Sequence, residues 1–287
     1  MRWGGQRESS NIEDRRGMGP IGAGGIGIGG LVFVLLVSYL TGTNPLTLLN
    51  LVETAQETSA LSGSESPAPS GPPTDQLGKF AAVVLADTED TWRALLPTLG
   101  TQYEEPRLVL FSGAVRSACG RGSAASGPFY CPPDRKVYLD LSFFDELAQR
   151  FGAPGEFAQA YVIAHEVGHH VQNLLGIADQ VTRRQRQATQ AESNALSVRV
   201  ELQADCLAGV WGYHAKQDRN VIEPGDFESG LRAASAIGDD RLQHTSGGSV
   251  QPETWTHGSS AQRATWLRRG LESGDPKGCD TFTDSRL

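Results

Sequence analysis

Residues 161 to 175, "YVIAHEVGHHVQNLL", place three histidines and a glutamate in a stretch that is otherwise largely apolar. Apolar residues recur there at three- and four-residue intervals, the period of a helix packed against a core. Imidazole and carboxylate groups on such a helix are costly to bury unless they are hydrogen-bonded, paired or bound to a metal. The rest of the chain must therefore bring partners to this helix. His165 and His169 are four residues apart, so they share one face with Cβ atoms roughly 5 to 6 Å apart and can aim ring nitrogens at a single ion. Glu166 sits beside the first, where it reaches a water on that ion without ligating the ion, the position of a general base. His170 points about 100° around the helix and reads as a hydrogen-bonded core residue.

A catalytic zinc takes a third protein ligand and keeps a fourth position open. "VELQADCLAGVW" supplies Glu201 as that ligand. Asp205, one turn later, is placed to accept a hydrogen bond from the free N–H of a liganding histidine. For an isolated acidic pair a solvated helix face is the simpler reading; the histidine pair turns it toward metal. In "THGSSAQR", His257 and Arg263 are groups suited to face a developing oxyanion. His214 and His244 carry no ligand spacing.

The chain has 287 residues, 39% of them hydrophobic, enough for one sizeable core. A net charge of -8 leaves no basic patch to dominate the field, which excludes nucleic acid as a partner. Ile21 to Thr41 contains no charged residue and has the length of a membrane-spanning helix. Arg2, Arg7, Arg15 and Arg16 precede it, whereas Glu53, Glu57, Glu65 and Asp75 follow. That asymmetry predicts an uncleaved signal anchor, with the N-terminus in the cytoplasm and the remainder outside the cytoplasmic membrane, periplasmic or extracellular. Disulfides persist there, so Cys119 and Cys131, flanking a Gly/Ser-rich loop, are expected to pair and to leave Cys206 with Cys279. A buried thiol is the alternative for Cys206.

The expected organisation is a cytoplasmic segment over 1–20, a transmembrane helix over 21–42, a flexible Ser/Pro/Gly-rich linker over 43–77 and one folded domain over 78–287. Within the domain, residues 78–96, 155–176 and 188–216 read as helices, joined after the second by a basic connector at Arg183 to Gln190. "RLVLFSG" and "KVYLDLSFF" read as strands. The fold class is α+β, mostly helical with a small sheet.

The blocks "WGGQRESSNIEDRRG", "CGRGSAASGPFYCPPD", "AYVIAHEVGHHVQNLLG", "VELQADCLAGVW", "AIGDDRLQ" and "THGSSAQRATWLRRG" closely resemble those of a bacterial neutral zinc metallopeptidase family of single-anchored membrane proteins. The resemblance spans nearly the whole chain apart from the linker. The order H-E-x-x-H, then E-x-x-A-D, then a histidine followed six residues on by arginine is also similar to membrane CAAX-prenyl-type gluzincins. That likeness implies Glu201 as third zinc ligand and His257 and Arg263 as transition-state stabilisers, although Gly258 stands where those enzymes usually have proline. Together these imply a zincin-like domain holding one Zn2+ and a membrane-anchored zinc endopeptidase acting on protein or peptide. By analogy with zinc proteases, "KVYLDLSFF" would pair with an extended substrate. The rivals are a non-catalytic zinc-containing scaffold and a zinc amidase acting on cell-wall peptide.

Overall fold

The computed structural model describes residues 1–17, 72–245 and 250–284. The expected transmembrane helix and nearly all of the linker lie outside them. Among the described residues no helix is long and apolar enough to cross a membrane. The architecture is α+β, mainly helical with a small sheet.

Helix α1 (Gln76–Leu95) starts where the Asp75 side chain accepts from the Gly78 N–H at 3.0 Å. It leads to strand β2 (Arg107–Phe111), hairpin β3 (Ala114–Ser117) and β4 (Gly120–Ser123), then β5 (Phe129–Cys131) and β6 (Lys136–Asp140). β6 runs parallel to β2 and antiparallel to β5, and the sheet order is β1-β2-β6-β5, where β1 is Ile12–Asp14. Side chains alternate across the sheet. Leu108, Leu110, Val137 and Leu139 pack into the helical core, whereas Val109, Phe111 and Tyr138 join Val115 and Cys131 on the opposite face. The strand read over "KVYLDLSFF" stops early, because the Asp140 carboxylate accepts from the Ser142 N–H at 3.0 Å and turns the chain into helix α2 (Ser142–Gln149).

Strand β1 precedes the apolar stretch, yet it forms the edge of the domain's sheet. The Leu108 N–H donates to Asn11 O at 2.8 Å and the Arg15 N–H to Leu110 O at 2.7 Å. Glu89 on α1, only 1% exposed, accepts from Arg7 Nη1 at 3.0 Å, Ser9 Oγ at 2.5 Å and Asn11 Nδ2 at 2.9 Å. Trp3 Nε1 donates to Glu156 Oε1 at 2.9 Å. Residues 1–17 are thus part of the folded body, which differs from the separate segment read from the sequence. The physical reason is the buried Glu89 charge, which needs those donors.

Three long helices carry the site. These are α3 (Glu156–Leu174), α5 (Gln190–Gln217) and α8 (Ser260–Ser273). Between α3 and α5 runs α4 (Ile177–Gln185), which extends into the expected basic connector. After α5 come α6 (Asp226–Ala236) and α7 (Asp239–Thr245). α5 and α8 touch backbone to backbone: a Cβ on Gly270 would lie 2.0 Å from Cys206 O, and one on Gly209 2.2 Å from Leu267 O. Both expected disulfides form, Cys119–Cys131 and Cys206–Cys279. Replacing Gly270 with Ala should force the two helices apart at a cost of roughly 1–3 kcal/mol. A fall in the urea midpoint with unchanged far-UV circular dichroism is the expected result; an unchanged midpoint counts against the contact.

Candidate metal centre

Helix α3 begins at Gly155, whose φ of 124° is open to glycine, and it crosses α5 closely where Gly168 meets Ala204. The crossing sets His165 Nε2 3.2 Å from Glu201 Oε2, and His169 Nε2 3.4 Å from Glu201 Oε1. One ligand atom from each of the three residues lies within 4.8 Å of the others. Ligand atoms about 2.0–2.1 Å from a tetrahedral zinc stand about 3.4 Å apart, so the donor set fits the ion in both chemistry and spacing.

The remaining ring nitrogens are tied back. His165 Nδ1 lies 2.9 Å from Asp205 Oδ1 and His169 Nδ1 2.9 Å from Gln172 Oε1, so each Nδ1–H donates and each Nε2 is left to the metal. Gln172 is itself held, donating through Nε2 to Val200 O at 2.7 Å and Gln203 Oε1 at 3.0 Å. Sequence reading missed Gln172, although its i+3 spacing from His169 was a usable signal.

Asp205 has no solvent exposure. It accepts from Tyr161 Oη at 2.6 Å and from Arg263 Nε and Nη2 at 2.9 and 3.0 Å, in addition to His165. Arg263, expected to face a developing oxyanion, lines the cleft with its guanidinium, 2% exposed, held on Asp205 where α5 and α8 meet closely.

His257 lines the same cleft and is half-exposed. Its Nδ1 is 3.2 Å from Asp239 Oδ1, and Asp239 Oδ2 accepts the backbone N–H groups of Thr256, His257 and Gly258 at 2.8, 2.6 and 3.0 Å. Gly258 has φ 89°, a left-handed conformation that a proline could not adopt. Asp240 accepts from the Ser260 N–H and Oγ, both at 2.8 Å, at the start of α8. The two aspartates of "AIGDDRLQ" therefore build the His257 loop, a role that no spacing rule marks.

The cleft has a volume of about 690 Å³ and is walled by Phe129 and Tyr130 of β5, Phe143, Val162 and Ile237, with the metal-binding trio and Glu166 along it. β6 is not available to a substrate, because β2 and β5 occupy both of its sides; β5 is the edge strand at the cleft.

The charges follow from this packing. Burial disfavours a charge on His165, but Asp205 and Glu201 outweigh it and raise its pKa to about 10. His169 is raised on the same balance, burial against Glu201. Glu201 is pulled well below the usual carboxylate range, since the two imidazoles overcome its burial. Burial pushes Glu166 up. Its carboxylate makes no hydrogen bond among the described residues, although it is only 8% exposed. Burial lowers His170 to about 4, which keeps it neutral.

A helix pair presenting two histidines and a glutamate to one point, with an unbonded glutamate beside them, forms a candidate metal centre. The chain belongs to the family described as "Putative neutral zinc metallopeptidase", whose sequence model matches residues 1–282. It is 51% identical over 292 residues to the uncharacterized protein YpfJ of Escherichia coli K12, covering 99% of this chain and all of that protein. It is 48% identical over 206 residues to the uncharacterized protein Rv2575 of Mycobacterium tuberculosis, covering 68% of this chain and 67% of that protein. No solved structure matches the chain.

Changing Asp205 to Asn removes the acceptor that fixes His165 and should weaken zinc binding about 10–100-fold in a chelator competition. In the parent, the proton held by His165 must leave before the nitrogen can ligate. Zinc affinity should therefore fall as pH drops from 8 to 6, by up to about tenfold per unit per displaced proton. A pH-independent affinity would contradict this site.

Proposed function

We propose that the protein is a zinc-dependent endopeptidase, with one zinc held by His165, His169 and Glu201 and with Glu166 as general base. The observation that carries the reading is the Glu166 carboxylate, buried, raised in pKa and without a hydrogen-bond partner among the described residues, next to a three-residue donor set. A structural zinc site commonly closes with four protein ligands. A raised carboxylate pKa suits proton transfer near neutrality.

When bound, the zinc supplies Lewis acidity that polarises the scissile carbonyl and acidifies water. Glu166 accepts a proton from the attacking water as its oxygen bonds to the carbonyl carbon. It then returns that proton to the amine nitrogen as the C–N bond breaks. The Asp239 hydrogen bond raises the His257 pKa, and as the imidazolium His257 gives Nδ1–H to Asp239 and can donate its second proton, on Nε2, toward the developing oxyanion. An extended peptide lies along the free edge of β5 rather than along β6.

The two disulfides support an oxidising compartment for the body. Membrane attachment would come from residues 21–42. The contacts of residues 1–17 with α1 and β2 argue that tail and body share that compartment, so residues 21–42 would attach the protein without a single crossing, in place of the opposite-side arrangement read from the arginine distribution.

Two measurements test these readings. The full-length protein should bind about one zinc and cut an unstructured protein, and Glu166→Gln should keep the metal while losing at least about 10²-fold in rate; cleavage by the variant at the parent rate sinks the mechanism. For topology, cysteines introduced at Gln6 and at Glu272 should react alike with a membrane-impermeant maleimide in intact cells. Labelling at Glu272 alone would put the tail back in the cytoplasm.

A further inference from the structure

The second histidine of "GHH" has no part in the metal site, and its surroundings give it another role. His170 is 0% exposed. Its Nε2 stands 2.6 Å from Glu104 O, a carbonyl that can only accept, so Nε2 carries the hydrogen. Nδ1 is then an acceptor, and it lies 2.9 Å from Tyr130 Oη, which donates to it. Tyr130 Oη in turn accepts from Asn173 Nδ2 at 3.0 Å, so two residues of the metal-binding helix grip one hydroxyl. A leucine or phenylalanine would fill the same space without a buried polar cost. What the histidine adds is a fixed distance to Tyr130.

Tyr130 is the middle residue of β5, the edge strand at the cleft, and the strand's other two residues are fastened as well. The Phe129 ring stacks on Tyr138 at 4.8 Å between centroids and 8° between planes, and Cys131 is in disulfide linkage with Cys119. β5 is only three residues long and, among the described residues, pairs with β6 alone. Its register relative to the helix is therefore set by these side chains rather than by a long hydrogen-bond ladder. His169 and His170 are adjacent on α3, so one backbone step separates the group that faces the metal from the group that holds the strand.

We propose that His170 is a positioning residue for substrate: through Tyr130 it fixes β5 at a set height over His165, His169 and Glu201, so that an extended peptide paired with β5 presents its carbonyl to the metal position. This rests on the endopeptidase reading above. It makes the preferred substrate an unfolded segment long enough to pair with β5, and it leaves a blocked dipeptide, which cannot form that pairing, indifferent to His170. His170 touches neither substrate nor metal.

The test uses full-length zinc-loaded protein, an octapeptide and a blocked dipeptide. Tyr130→Phe removes the hydroxyl and keeps the ring. His170→Gln places its amide where Nε2 stands and loses Tyr130, whereas His170→Asn places its amide where Nδ1 stands and can keep it. Tyr130→Phe and His170→Gln should raise KM for the octapeptide about tenfold, the scale of one hydrogen bond's worth of alignment. kcat should stay within about threefold and zinc content unchanged for both, and dipeptide cleavage should be unchanged in His170→Gln, whose side chain lies outside the cleft lining. His170→Asn should restore the octapeptide KM. Equal losses on both substrates, loss of zinc, or no change in the octapeptide KM would each overturn the proposal. Tyr130→Phe, which keeps the packed ring, decides the matter where a His170 variant fails to fold. A parent that binds zinc and cuts no peptide would overturn the endopeptidase reading and this proposal with it, a result distinct from selective loss in the variants.

Discussion

The Asp205 carboxylate is wholly buried, and an isolated charge there would cost several kcal/mol in effective desolvation. Arg263, Tyr161 and His165 supply the compensation, and each arrives from a different element or turn: α8, the first half of α3, and the metal-binding turn of α3. The arginine reaches it only because α5 and α8 approach at Gly209 and Gly270 without intervening side chains. Removing any member leaves the others buried without full partners, so packing of the helices and orientation of the metal ligand are a single constraint. The Cys206–Cys279 disulfide sits one residue from Asp205 and anchors α5 to the turn that follows α8.

Much of this centre was legible in the sequence because helical spacing is a local rule. His165, Glu166 and His169 declare themselves through i, i+1 and i+4 positions, and Glu201 and Asp205 through the same period on a second apolar helix. Both disulfides followed from the expected compartment and the loop between Cys119 and Cys131. What escapes the sequence is of another kind. Arg263 lines the cleft, but no local pattern reports that two glycines on different helices meet and bring its guanidinium onto Asp205. Asp239 and Asp240 were invisible as loop builders, since their partners lie about twenty residues on in the chain.

The sheet shows the same limit. β2 and the first five residues of the β6 segment are legible as strands, whereas β1, β3, β4 and β5, three or four residues each, are too short to display a period. The analogy with zinc proteases therefore lands on β6, the legible strand just upstream of the metal-binding helix. The clearest alternation belongs to a strand whose two faces are covered and whose two sides are paired, which is the opposite of an available edge.

The parallel pairing of β1 with β2 carries a consequence for how the protein can be handled. Residue 12 meets residue 108, so the sheet edge closes only after a long loop has been spanned, and loop closure of that kind is a late and slow step. A fragment beginning at residue 78 would contain every metal ligand and still lack that edge. It would leave β2 with open backbone groups and Glu89 stripped of three hydrogen-bond donors, a flank on which chains stick to one another rather than fold. The first seventeen residues thus serve the folded body as a built-in edge guard.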